Sequence, residues 1–199
     1  MFLSRFPTTN TNLNRHRSYM VYKLFLDTDI LEIEGSRPED SIDDTNSSIP
    51  TLTNPACYTC HTVMDPVAST FQHWNTNGRR IPRTNESPWP STVQAAGLAG
   101  KILPIAGGSS AVDSMLQWLG HEITQDPRFI RAITRHLFKG VVGQDLLPTP
   151  GENSSDAEVT AFNAQRSILS DIGQEMVTDG WNVKTAITGI LLSPYYRAN

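Results

Sequence analysis

Cys57, Cys60 and His61 are the residues whose types and spacing point most directly to chemistry. Two thiols three residues apart, with an imidazole directly after the second, make the C-x-x-C-H spacing of covalent c-type haem attachment. The sulfurs reach the two vinyl groups of one porphyrin edge, and the imidazole lies under the ring as the proximal iron ligand. Both cysteines of the chain are in the motif, and one of its five histidines follows them. Random placement would produce this arrangement roughly once in a few thousand chains. A thioredoxin-like dithiol would sit beside a β-α-β pattern, which the sequence lacks. A zinc site would need two further good ligands, and there is no second cysteine pair to supply them. The cofactor expected is one covalent haem c.

The opposite axial position has two candidates. Met115, 54 residues after His61, suits the His–Met pairing of low-spin electron carriers. It also lies on the apolar stripe of a helix, where a core methionine is equally at home. His73, in Phe71-Gln72-His73-Trp74, is the alternative ligand if its helix folds back. Met64, three residues past His61, stays on the proximal side and packs near the haem edge. Trp74 packs on the porphyrin or on the core. Arg79 and Arg80 suit bidentate pairing with the haem propionates, or form a solvated basic loop. Asp65, followed by Pro66, reads chiefly as a helix cap. No catalytic residue is assigned.

The stretch Asn54-Pro55-Ala56-Cys57-Tyr58-Thr59-Cys60-His61-Thr62-Val63-Met64-Asp65-Pro66 resembles the N-P-x-C-x-x-C-H-x-x-M-D-P signature of the planctomycete-type cytochrome-c-like proteins. Further blocks are similar to the same group: Phe6 to Thr9, Asn12 to Arg17, Leu116 to Phe129, and Leu192 to Ala198. The resemblance implies a monohaem protein whose chain is the C-terminal piece of a large exported one. It also implies a periplasmic or cell-surface location.

The elements that must position the motif read as helices. Arg15 to Leu26 is helical, with Asn14 before it and Met20, Val21, Leu24 and Phe25 on one stripe. Residues 27–56 turn polar and acidic and read as a solvated loop. A short turn follows Cys57, and a second helix starts at Asp65-Pro66 with Val67, Phe71 and Trp74 on its buried side. Residues 75–110 are irregular. Val112, Met115, Leu116, Leu119 and Ile123 then mark an amphipathic helix. Asp126-Pro127 opens another, with Ile130, Ile133, Leu137 and Val141 inward and Gly140 or Gly143 at its end. Ser155 to Glu158 is a capping box for a helix reaching Thr178. Asn182 caps a last helix whose face holds Val183, Ala186, Ile187, Ile190 and Leu191. No alternating strand pattern stands out. The fold class expected is all-α: a cytochrome-c-like monohaem module with long loops, followed by a C-terminal helical bundle. Its segments are 1–53 (helix and acidic loop), 54–110 (haem binding) and 111–199 (helices sharing the haem core).

Composition narrows the function. The 199 residues are 38% apolar and 18% charged, enough for a core. Sixteen Lys plus Arg face twenty Asp plus Glu, a net charge of −4 that argues against nucleic-acid or anionic-membrane partners. No apolar run is long enough for a membrane span. The leading expectation is single-electron transfer with a redox partner protein or an upstream domain. The alternatives are an open-site haem enzyme acting on peroxide or a small molecule, and a helical interaction module with a structural haem.

Overall fold

The computed structural model describes residues 1–32, 54–81, 97–98, 101–102 and 114–197. It is mostly helical, as the sequence periodicity predicts. The chain divides into two compact units, Met1–Gln125 and Asp126–Asn199. This division differs from the sequence segmentation, because the helix beginning at Met115 belongs to the first unit rather than to the C-terminal helices. The greater part of the acidic loop, together with Val112, lies outside the described residues.

The first unit holds α1 (Phe2–Arg5), α2 (Arg15–Phe25), a 3₁₀ turn at Ile30–Glu32, α3 (Pro55–Ser69) and α4 (Met115–Gln125). A minimal antiparallel pair, β1 (Gly97–Leu98) and β2 (Lys101–Ile102), sets Gly97 opposite Ile102 and Leu98 opposite Lys101. Two residues per strand are too few to show alternation, which is why the sequence pattern is silent here.

Two sequence expectations are corrected in this unit. The inward face of α2 is Arg17, Ser18, Val21 and Tyr22, with buried Asn14 just before it, whereas Phe25 is 36% exposed. These positions keep helical spacing, but the stripe is half polar and so invisible to a hydrophobic pattern. The second correction concerns α3, which runs unbroken through Pro66. Asp65 is therefore an interior helical residue and not a cap. The aromatic part of this core is a cluster around Phe2, whose ring lies 4.9 Å from Phe6, 5.8 Å from Phe25 and 6.1 Å from Phe71. Along α4 the expected stripe is buried at Met115, Leu119 and Ile123.

The second unit is a bundle of α5 (Pro127–Val142), α6 (Asp156–Thr178), α7 (Val183–Leu192) and the short α8 (Pro194–Arg197). Its local signals work as the sequence predicts. Asp126 accepts a hydrogen bond from the Arg128 N–H, and Gly143 closes α5 at φ +78°. Ser155 and Glu158 form a complete capping box, and the Asn182 side chain accepts from the Lys184 N–H. Phe138, Leu169, Ile172, Met176, Ala186 and Ile190 make the core, against which Ile130, Ile133, Leu137 and Val141 pack. Val183 and Leu191 are 45% and 37% exposed, so the inward face of α7 is narrower than the sequence stripe suggests. No helix among the described residues is long and apolar enough to cross a membrane.

The close approach of α5 and α6 depends on Gly173. A Cβ there would fall 2.8 Å from Ile130 Cγ2 and 2.9 Å from Thr134 Oγ1. Overpacking of that kind costs about 1–3 kcal/mol, against a helix-propensity gain of about 1 kcal/mol. Gly173→Ala should therefore lower the urea midpoint followed by circular dichroism. Gly140→Ala, where a Cβ meets nothing within 4 Å, should raise stability by about 0.5–1 kcal/mol. Equal shifts for the two substitutions would contradict the packing account.

Candidate functional site

The site is built on α3. Cys57, Cys60, His61 and Met64 fall at i, i+3, i+4 and i+7 and share one helix face. All four side chains are half-buried. Both cysteines are free thiols, and the Cys60 Sγ lies 3.8 Å from the Ile30 carbonyl oxygen, to which it donates. The face therefore offers two reduced sulfurs and an imidazole on the same side of one helix.

His61 is held by its neighbour one turn later. Its Nδ1 lies 2.9 Å from Asp65 Oδ1, and the Asp65 side chain is completely buried. Arg15, on α2, grips the same carboxylate in a fork, with Nε 2.7 Å from Oδ1 and Nη2 3.0 Å from Oδ2. Burial by itself would raise the Asp65 pKa. The hydrogen bonds from His61 and Arg15 outweigh burial and hold it below the usual aspartate value. A carboxylate only accepts, so Nδ1 carries a proton, and it is the neutral form of the ring that keeps its lone pair on Nε2.

Two further α2 side chains converge on the same turn of α3. Ser18 Oγ donates to the Met64 carbonyl at 2.7 Å, and Tyr22 Oη donates to the Val63 carbonyl at 3.2 Å. Pro66 has no N–H to give Thr62 and crowds the turn before it. Hydroxyl donors from α2 thus reach the two carbonyls that follow Thr62 on α3.

The other residues singled out in the sequence lie beyond the end of α3. His73 and Trp74 belong to a tight turn rather than to a helix. Ile81 N–H donates to the His73 carbonyl at 2.8 Å, and Trp74 bridges Arg80 across the turn. The expectation of a helix carrying Phe71, His73 and Trp74 is therefore corrected, since α3 ends at Ser69. Gly78 adopts φ +72° at the turn, and a Cβ there would press on Leu3 at 3.0 Å. Arg79 and Arg80 are exposed at this turn. Trp74 is half-buried and borders a cleft of about 340 Å³ with mixed polar and apolar walls, shared with Thr8, Leu13, Asn14, Gln72 and Ile81. Cys57, Cys60 and His61 do not line that cleft. Met115 is buried at 4% exposure, and its sulfur accepts from Gln72 Nε2 at 3.3 Å. That contact engages the sulfur which the sequence offers as a distal ligand.

Arg17 locks the turn to the N-terminal segment. Its guanidinium, with no exposed surface, donates to the carbonyls of Leu3, Phe6, Trp74 and Asn75 and to Asn14 Oδ1, at 2.6 to 2.9 Å. Burial pulls its pKa down from the ordinary arginine value. Arg15, Arg17, Ser18, Tyr22 and Gln72 are the positioning residues that sequence reasoning missed. The one signal available in the sequence was the i, i+4 spacing of His61 and Asp65.

Among the described residues, no group of three or more His, Cys, Asp or Glu side chains is arranged to hold a bare metal ion. Compared with family models, with curated proteins and with solved structures, the chain finds no match in any of the three.

The clamp makes a direct prediction. A lysine at position 17 keeps the charge but lacks the planar fork of N–H donors, leaving buried carbonyls unpaired. Arg17→Lys should therefore destabilise by about 2–4 kcal/mol, close to the effect of Arg17→Met. Urea unfolding checks this, and a lysine variant as stable as the native chain would remove the clamp from the account.

Proposed function

We propose that the first unit binds one covalent haem c through Cys57, Cys60 and His61 and passes single electrons between partner proteins. The observation that carries this reading is the shared face of α3, with two free thiols and an imidazole whose Nδ1 is already engaged by Asp65. When bound, the haem supplies a one-electron iron couple whose potential follows its axial ligands. Cys57 and Cys60 would hold the porphyrin through thioether bonds, each thiol contributing its sulfur and its hydrogen to one vinyl group so that no oxidant would be needed. His61 offers Nε2 to the iron, while Asp65 and Arg15 keep the ring from turning. The net charge of −4 suits a redox partner with a basic face. Covalent attachment of this kind belongs to the oxidising side of the bacterial inner membrane, which makes the periplasm or cell surface the proposed location.

One observation favours a second reading, an open-site haem protein that binds peroxide or another small molecule. The Met115 sulfur is buried and taken by Gln72, so it offers no ready sixth ligand.

The deciding experiment is a pyridine haemochrome spectrum of the protein exported alongside the haem-attachment machinery. A c-type band, lost in Cys57→Ala/Cys60→Ala, is the expected result. Absence of the band from the native sequence would overturn both readings. Ferrous protein that takes up carbon monoxide rapidly would select the open site over the electron carrier.

A further inference from the structure

The haem reading leaves open what sets the electron-donating strength of the axial imidazole, and the inference drawn here rests on that reading. We propose that Asp65 and Arg15 tune His61 in opposite directions through one shared carboxylate. Asp65 Oδ1 accepts from both His61 Nδ1 at 2.9 Å and Arg15 Nε at 2.7 Å, while Oδ2 accepts from Arg15 Nη2 at 3.0 Å. The carboxylate has no exposed surface, so water does not dilute its effect on either partner.

Negative charge beside an Nδ1–H pushes electron density toward Nε2 and makes the imidazole a stronger donor. A stronger donor favours the ferric over the ferrous state and lowers the potential. Arg15 draws on the same oxygens and restrains that push. Both are positioning residues, since neither touches the reacting group. The arrangement is also more than a helix staple. A staple would need only the two-point Arg15 fork, whereas here the oxygen nearest Arg15 Nε is the one that receives the imidazole proton.

The test uses the full chain, exported and matured, with the haemochrome band recorded for every variant. Potentiometric titration should show Asp65→Asn shifted to higher potential and Arg15→Gln to lower potential at equal haem content. Arg15→Lys, which keeps the charge, should restore most of the native value. A purely structural role would move Asp65→Asn and Arg15→Gln the same way or leave them unmoved, and either result overturns the proposal. A readout without haem covers the case in which Arg15→Gln fails to fold. Long-range proton–nitrogen spectra of the unloaded native chain should place the His61 proton on Nδ1, with that preference lost in Asp65→Asn. A native proton on Nε2 overturns the proposal whatever the haem does. A native chain with no c-type band defeats the haem reading, and the tuning falls with it. A band with unmoved potentials defeats the tuning alone.

Discussion

A carboxylate removed from water must be compensated where it lies, or it will not stay ionised. Asp65 is compensated from two directions, by His61 one turn earlier on its own helix and by Arg15 from a helix fifty positions away in sequence. This requirement fixes how α2 meets α3. Once Arg15 reaches Asp65, Ser18 falls opposite the Met64 carbonyl and Tyr22 opposite that of Val63. The face bearing Cys57, Cys60 and His61 is then carried on a helix braced by polar contacts.

Arg17 repeats the principle with the sign reversed. Its buried cation is surrounded by neutral acceptors, four of them backbone carbonyls from two segments that regular structure leaves unpaired. The first unit thus adds two satisfied buried charges to an apolar core that includes Val21, Leu26, Ile30, Val67, Phe71, Met115 and Leu119. The second unit relies on aliphatic packing between capped helices. The contrast matters for any site, because a buried hydrogen-bond network tolerates less displacement than an apolar contact.

The two Asp-Pro pairs explain what was legible in the sequence. Asp126-Pro127 opens a helix as the rule predicts, because the cap is completed within two residues, at the Arg128 N–H. Asp65-Pro66 obeys the same rule on paper and breaks it in the fold, because distant Arg15 and nearby His61 claim the carboxylate. Short-range signals therefore read correctly: the capping box at Ser155, the Asn182 cap, the glycine stop at Gly143 and the stripe of α4. Long-range polar pairing has no periodic signature, which is why the buried face of α2 and the place of His73 were missed. The C-x-x-C-H spacing was legible because one helix face suffices to assemble it.

That same face carries a chemical liability. On an intact helix, residues three apart have Cα atoms about 5 Å from one another, within the span that a disulfide bridges. Cys57 and Cys60 stand at that separation with both sulfurs reduced. In an oxidising compartment, closing on each other competes with any other use of the two thiols. If haem is the native occupant, delivery has to outrun thiol oxidation or be preceded by a dedicated reductant. A chain that loses this race would keep its helices and its braced imidazole, and would be chemically silent.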